Sequence, residues 1–323
     1  MRCQQKVIVI GKIPPPIGGV TIHVKRILEH FETYNSNQII FLDLRHINGI
    51  SFFYTICKYR VFHLHTSNVY FRFFFSLFCL LTFKKLVITI HGDLGRFKFW
   101  KNIFDYLSVS ICHIPIVINK GSFLFSKTLN RKSLLMPSFL PPLQTKMLDT
   151  NILLDVDYLR KGYSYVFCTN AYNVTWDKNL EEIYGIIQLL EIFIKLNKEA
   201  LIISDPSGAY KKYFHKNRIF VPNNVMLISY DHEFFEILKL ADVFIRNTTT
   251  DGDSLSVKEA LYLNKTVFAT NIVDRPEGCI LYPKQDSLYL MKIIKEFTLS
   301  INVNVSVDSC YSQLSNLYTK LLK

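Results

Sequence analysis

Cysteine pairs, long apolar runs and stretches rich in glycine and proline are all scarce in this 323-residue chain. The seven cysteines are scattered without a C-x-x-C pair, which argues against a disulfide framework or zinc site and favours a reducing compartment. Only 12 Gly and 11 Pro accompany 49% apolar residues, as in a globular protein. The most apolar stretch, residues 69–83, contains Arg72 and is shorter than the roughly 20 residues of a spanning helix. It predicts a buried or interfacial helix, and the N-terminal apolar run is too short for a signal peptide.

Acidic residues are scarce in one half of the chain only. Residues 1–150 contain 19 Lys/Arg against 6 Asp/Glu, whereas residues 151–323 contain 19 against 20. Nucleic acid, an anionic membrane or a phosphate-rich ligand could match such a basic half. No nucleic-acid-binding module is visible, so we expect no nucleic-acid partner and favour an anionic membrane surface. Basic and aromatic residues interleave in residues 83–101, which fits either a membrane interface or an ordinary solvated face.

Short apolar runs alternate with helix-like segments, which predicts an α/β fold with doubly wound parallel sheets. The strand-like runs are residues 7–10, 39–44, 61–65, 86–91, 114–118, 165–168, 201–204, 225–228, 243–245 and 266–269. The helix-like segments are residues 21–30, 69–82, 99–107, 120–129 and 179–196. Prolines 137, 141 and 142 interrupt the alternation, and we expect a linker that ends near Arg160. The predicted domains are residues 1–155 and 156–306, followed by a closing helix in 307–323.

Two glycines follow the first predicted strand. Gly18 and Gly19 stand directly before a helix start, where free N–H groups and the absence of a side chain let a phosphate approach closely. The spacing is not G-x-G-x-x-G, so an ordinary strand-to-helix loop is the alternative.

A second candidate site lies in residues 251–261. Asp251 and Glu259 stand eight positions apart around a turn, and a helix with a hydroxyl N-cap is expected to start near Ser254 or Ser256. The free N–H groups of that helix suit a diphosphate, and the carboxylates suit sugar or ribose hydroxyls. A capped surface helix is the alternative. The candidate ligand-binding residues between the carboxylates are Gly252, Asp253, Ser254, Leu255 and Ser256.

Three segments together resemble the family-four retaining glycosyltransferases of the GT-B fold. They are IGGVTIHV at 17–24, TIHGD at 89–93 and DGDSLSVKEALYLNKTVFAT at 251–270. The resemblance implies two Rossmann-like domains facing each other across a cleft. It also implies that His91 and Asp251 are catalytic residues at the transferred sugar, that Glu259 binds the ribose, and that Gly19 lets the donor phosphates or the attacking hydroxyl approach.

The resemblance is incomplete in the diphosphate site. The family places an Arg and a Lys after the first strand of the second domain. Here Lys178 can take the lysine's role, but Thr169 or Asn170 stands where the Arg is expected, and Arg246 and Arg275 are candidates to compensate.

We expect no metal and no cofactor besides the nucleotide-sugar substrate. His63 and His65 share one strand face, but no further ligands are placed beside them, and packing is the simpler explanation. Asp251-Gly252-Asp253 matches a metal-binding Asp-x-Asp, although the residues that follow favour a metal-free site.

The expected function is transfer of a sugar from a nucleotide-sugar donor to a lipid-linked or polysaccharide acceptor. The setting implied is O-antigen, lipopolysaccharide or capsule biosynthesis by a cytoplasmic enzyme, peripheral on the inner face of the cell membrane. Two alternatives stay open: a non-hydrolysing nucleotide-sugar epimerase, and a non-catalytic GT-B subunit that serves a partner enzyme.

Overall fold

The computed structural model describes residues 6–15, 18–46, 48–177, 179–251, 254–284, 286–298 and 309–323, apart from the side chains of residues 50 and 51. Two compact units make up the chain. The first unit combines Met1–Leu143 with Asp308–Lys323, and the second is the continuous segment Gln144–Val307.

Six parallel strands form the sheet of the first unit, in the order β2-β1-β3-β4-β5-β6. The central strands are runs of Val, Ile and Leu because helices cover both of their faces. The order reverses direction between β1 and β3, and the carboxyl ends of strands at such a reversal are where open α/β sheets generally bind ligands. The strands are β1 Val7–Gly11, β2 Ile39–Asp43, β3 Val61–Leu64, β4 Lys85–Ile90, β5 Ile114–Val117 and β6 Leu134–Leu135.

Six helices accompany this sheet in the described residues. Helix α3 begins where the side chain of Asn68 accepts a hydrogen bond from the Phe71 N–H, and α5 begins in the same way at Asn119. The helices are α1 Gly19–Asn35, α2 Gly49–Lys58, α3 Val69–Leu81, α4 Phe99–Ile111, α5 Lys120–Leu129 and the C-terminal α12 Tyr311–Leu322. None of the helices in the described part of the chain is both long enough and apolar enough to cross a bilayer.

Helix α12 completes the core of the first unit. Leu314, Leu317 and Tyr318 are buried against side chains of β1 and α1. The helix also makes polar contacts with the sheet, since Lys85 Nζ donates to the Leu321 carbonyl oxygen at 2.7 Å. The closing segment that the sequence predicted is therefore part of the first unit.

The second unit has its own six-stranded parallel sheet, in the order β12-β11-β10-β7-β8-β9. This is the strand order of the dinucleotide-binding Rossmann fold, with its reversal between β7 and β10. The strands are β7 Tyr165–Asn170, β8 Glu199–Ser204, β9 Val225–Ile228, β10 Val243–Arg246, β11 Thr266–Thr270 and β12 Cys279–Tyr282. The helices are α6 Thr150–Gly162, α7 Ile186–Phe193, α8 Ala209–Asn217, α9 Phe234–Leu240, α10 Leu255–Tyr262 and α11 Ser287–Lys295.

Two segments differ from the sequence prediction. The expected linker up to Arg160 contains α6, whose buried Ile152, Val156 and Leu159 pack on the core of the second unit. The boundary therefore follows Leu143 and not residue 155. The helix expected over residues 179–196 is confined to α7, because the chain before it folds back in an antiparallel bridge between Trp176 and Glu182.

Candidate functional site

The strand reversal of the second unit brings together Asn170 and Arg246, two residues that the sequence analysis considered for the diphosphate site. Asn170 ends β7 and Arg246 ends β10, and these strands are neighbours in the sheet. Arg246 Nη1 donates to Asn170 Oδ1 over 3.2 Å. Carboxyl ends of parallel strands at such a reversal are where open α/β sheets bind ligands. The geometry therefore marks this edge as the ligand-binding edge of the second unit.

Asp251 is held at this edge by two guanidinium groups. Arg246 donates from Nε to Asp251 Oδ2 at 2.8 Å and from Nη2 to Oδ1 at 3.0 Å, which is a bidentate pair. Arg275 Nη1 donates to the same Oδ2 at 2.7 Å. Arg275 is further fixed by the Thr270 carbonyl oxygen, 3.2 Å from its Nε. Both oxygens of Asp251, which the resemblance assigned to the sugar, are thus engaged by arginines.

Asp251, Arg246 and Arg275 form a buried charge cluster with more positive than negative charge. Burial raises the pKa of Asp251, but the charges and hydrogen bonds of Arg246 and Arg275 outweigh burial and leave that pKa below its ordinary value. Two guanidinium groups therefore face one carboxylate. The Arg275 side chain is 2% exposed, whereas Arg246 is 12% exposed and lies over the Tyr184 ring at 5.6 Å. Arg246 is therefore the more exposed side chain of the two arginines.

Helix α10 starts four residues after Asp251. Ser254 occupies the predicted N-cap position, but among the described residues its hydroxyl makes no hydrogen bond to the backbone of this helix. Instead it lies 3.2 Å from the Ser256 hydroxyl. The helix begins with Leu255, and Glu259 is buried in its second turn. The predicted residues Lys178, Gly252 and Asp253 lie outside the described residues.

The glycines of the first unit stand at the start of α1. Gly18 is the N-cap residue in an extended conformation, and its carbonyl oxygen accepts hydrogen bonds from the Ile22 N–H and the Thr21 hydroxyl. A Cβ added to Gly19 would meet no described atom within 4 Å, and one on Gly18 would meet only ordinary contact. Packing within the described residues therefore does not require glycine at position 19.

His91 directly follows β4 of the first unit. It lies in a group of histidines at the carboxyl ends of β3 and β4. His65 follows β3, and its Nδ1 is 3.0 Å from His91 Nε2. The His23 ring, on α1, lies 5.1 Å from the His91 ring and 5.4 Å from the His65 ring. His23 Nδ1 is 2.7 Å from the Ser138 carbonyl oxygen, which can only accept a hydrogen bond. We call His23, His65 and His91 the histidine cluster.

His63 lies beside the histidine cluster with both of its nitrogens engaged. Its Nδ1 is 2.5 Å from the Tyr318 hydroxyl and its Nε2 is 2.7 Å from the Thr89 hydroxyl. Burial lowers the pKa of His63 to about 3. Burial, reinforced by neighbouring imidazoles, also lowers the pKa values of His65 and His91 well below the ordinary 6.5. His65 and His91 are therefore neutral at pH 7, the form that can donate and accept hydrogen bonds or bind a metal.

The histidine cluster has the composition of a metal site, which the sequence did not predict. Each of its rings offers one nitrogen, and in the described residues these three nitrogens lie within 4.8 Å of one another. Sequence reasoning considered His65 only with its strand neighbour His63, which instead contacts Tyr318 and Thr89. His23, which sequence reasoning did not consider as a candidate ligand, stands in the same IGGVTIHV segment that carries Gly19.

Comparison with known proteins identifies the fold. No protein-family model and no curated protein matches the sequence significantly. Anabaena Alr3699/HepE in complex with UDP-glucose is similar in structure, with 12% identity, a TM-score of 0.70, and coverage of 97% of this chain and 99% of that one. Sucrose-phosphate synthase from Thermosynechococcus elongatus has 14% identity and a TM-score of 0.64, over 98% of this chain and 99% of that one.

A UDP-GlcNAc 2-epimerase from Methanocaldococcus jannaschii is also similar, with 13% identity, a TM-score of 0.61, and coverage of 98% of this chain and 99% of that one. Identities this low show the fold and not the activity. Both sheets and their alternating helices match these structures, which confirms the fold class that the sequence predicted. The chain has the GT-B fold, with one Rossmann-like sheet in each unit.

Proposed function

We propose that this protein is a retaining, metal-independent glycosyltransferase that uses a nucleotide-sugar donor. The observation that carries the proposal is Arg246, the more exposed of two arginines at the strand reversal of a Rossmann-type sheet, whose partner Asp251 stands four residues before α10. The neighbouring folds add support, since Anabaena HepE binds UDP-glucose and an E. coli trehalose-6-phosphate structure contains UDP-2-fluoro glucose.

The diphosphate of the donor is bound by Arg246 and by the N–H groups at the start of α10. Departure of the nucleoside diphosphate develops negative charge, and preorganised guanidinium and helix N–H donors stabilise that charge without a metal. Arg246 thereby replaces the Arg that is absent at Thr169 or Asn170. Lys178 adds a second positive charge in this proposal.

Asp251 acts in this proposal as a positioning residue. Its bidentate contact fixes the guanidinium plane of Arg246, and Arg275 fixes the carboxylate from the other side. Asn170 holds the remaining Arg246 nitrogen. Glu259 is assigned to the ribose hydroxyls, for which a carboxylate is a strong acceptor.

The first unit contributes His91 and Gly19. A neutral His91 can donate a hydrogen bond to a hydroxyl of the transferred sugar, and Gly19 leaves room for phosphate or acceptor at the start of α1. Retention at the anomeric carbon is proposed from the family resemblance alone.

A membrane-borne acceptor is the second part of the proposal. Phe99 and Trp100, at the start of α4, are 72% and 69% exposed, and exposed Lys98 and Lys101 flank them. Aromatic rings next to lysines suit the headgroup level of an anionic membrane. We therefore propose a lipid-linked saccharide acceptor at the inner face of the cell membrane, in surface-polysaccharide assembly.

Nucleotide-sugar epimerisation is the second candidate function, because the UDP-GlcNAc 2-epimerase of M. jannaschii has the same fold over nearly the whole chain. Incubating the protein with a panel of nucleotide sugars and membrane lipid extract separates the possibilities. Labelled sugar in the lipid fraction, insensitive to chelator, supports transfer. An epimerised donor indicates the epimerase, and no donor binding by calorimetry indicates a non-catalytic subunit. The anomeric configuration of the product tests retention.

Glu259→Gln is the variant that tests the donor site. Loss of a charged acceptor for a hydroxyl costs about 1.5–3 kcal/mol, so kcat/KM should fall roughly 10- to 100-fold. Glu191→Gln, on the exposed face of α7 in the same unit, is the matched control and should leave transfer unchanged. Full activity of a folded Glu259→Gln protein would remove Glu259 from the site.

A further inference from the structure

We propose that His23, His65 and His91 bind a borderline divalent cation of the zinc class in the first unit. The three rings come from α1, from the end of β3 and from the end of β4, and their offered nitrogens lie within 4.8 Å of one another. The proposal needs neither donor nor acceptor and so goes beyond glycosyl transfer.

The ligand type and spacing fit zinc. Zn–N bonds of about 2.0–2.1 Å in a tetrahedral site put ligand nitrogens roughly 3.3 Å apart. The His65 Nδ1 and His91 Nε2 atoms are already 3.0 Å apart, and the three offered nitrogens lie within 4.8 Å of one another, so they need to approach by at most about 1.5 Å. Three histidines leave a fourth position for water or substrate, and imidazole selects zinc, copper or nickel over magnesium.

The surroundings of His23 have the arrangement that metal-binding histidines use. Its Nδ1–H donates to the Ser138 carbonyl oxygen at 2.7 Å, which orients the ring and leaves Nε2 as its basic nitrogen when the ring is neutral. A backbone carbonyl in this role fixes the tautomer that a metal requires.

His65 is hydrogen-bonded through one nitrogen only. Its Nδ1 lies 3.0 Å from His91 Nε2, whereas its Nε2 is buried and has no hydrogen-bond partner within the part of the chain that the structure describes. The contact between His65 Nδ1 and His91 Nε2 is the one that a shared ion would replace.

Nearby charge and access also permit a cation. Arg72, whose charge reaches His91, is paired with buried Asp105, while Arg96 is exposed and screened by solvent. His91 is only half-buried, which gives an ion a path from solvent. Binding of the ion does not depend on the proposed function.

The test is titration of the metal-free 323-residue protein with Zn²⁺ by calorimetry, and with Co²⁺ by visible absorption. We expect one ion per chain and intense four-coordinate Co²⁺ bands, without Mg²⁺ binding. Loss of a residue that only orients a metal ligand typically weakens a site roughly 10- to 100-fold, and loss of a ligand should weaken it at least as much. His91→Ala and His65→Asn should therefore each weaken Zn²⁺ binding at least tenfold.

His46→Ala, an exposed histidine of the same unit, is the control and should bind zinc like the unaltered protein. Circular dichroism establishes that each variant is folded, and half-buried His91 offers a milder change than His65. The proposal is overturned if no ion binds stoichiometrically, or if both cluster variants bind as tightly as His46→Ala. Binding is measured without a nucleotide sugar, so its failure is distinct from failure of transfer.

Discussion

Replacing Asp251 by Asn tests whether the second unit depends on the buried charge cluster. The substitution keeps the shape of the side chain but leaves Arg246 and Arg275 without a carboxylate partner among the described residues, in a place where Asp251 is 8% exposed. Removing one partner of a buried ion pair costs about 3–5 kcal/mol. We therefore expect the free energy of unfolding of the second unit to fall by that amount.

Tryptophan fluorescence can report on this unit alone. The chain has two tryptophans, Trp100 in the first unit and Trp176 in the second, so a Trp100→Phe background isolates the second. With a urea m-value of roughly 2 kcal/mol per molar, the unfolding midpoint should fall by roughly 1.5–2.5 M. Asp231→Asn, which breaks an exposed 3.5 Å pair with Lys146 in the same unit, should cost at most about 1 kcal/mol.

The pH dependence of the free energy of unfolding gives a second test of the same charge cluster. The pKa of Asp251 is lowered on folding from its ordinary 3.8, so its contribution to stability is fully present above about pH 4 and is lost as the pH falls through the folded pKa. The difference between the unaltered protein and Asp251→Asn should therefore be constant from pH 5 to 8 and shrink in acid. If Asp251→Asn shifts the urea midpoint no more than Asp231→Asn does, the buried charge cluster does not stabilise the second unit as proposed.

Two further predictions separate function from folding. Gly19→Ala should leave the free energy of unfolding within about 1 kcal/mol, since its Cβ meets no described atom, yet lower kcat/KM at least tenfold if ligand approaches there. Gly49→Ala, equally uncrowded at the first residue of α2, is the control, and equal activities of the two variants would argue against the glycine's role. Lys98→Gln with Lys101→Gln should weaken binding to phosphatidylserine vesicles roughly 30-fold at about 1 kcal/mol per lysine, measured by co-sedimentation. Lys292→Gln with Lys295→Gln, on exposed α11, should change nothing, and similar losses from both pairs would contradict a specific membrane face.

The strands were the most predictable part of the fold. Runs such as Val7–Gly11 and Val243–Arg246 are buried between helices and are therefore apolar almost without interruption. Short helices were harder, because α9 has only seven residues and α8 is largely polar. The segment before α7 misled the helix prediction, since Gly185 adopts a left-handed φ of 64° where the helix begins.

Candidate sites were predictable where they lie within one segment. Gly18 is the N-cap residue of α1 and Gly19 is its first residue, one position earlier than a helix that follows both glycines, while Ser254 takes the N-cap position of α10 as expected. The contacts of Arg246 with Asn170, and of His65 with His91, depend on which strands are neighbours in the sheet. The sequence predicts where strands lie along the chain but not their order in the sheet, so these contacts could not be predicted from residue spacing.

The position of α12 has a consequence for synthesis on the ribosome. The hydrophobic core of the first unit includes Cys310, Leu314 and Tyr318, which are translated after the whole of the second unit. The second unit is continuous and can acquire its core as soon as it emerges. The part made first is thus finished last, and until then its unfilled apolar surface is a natural target for chaperones.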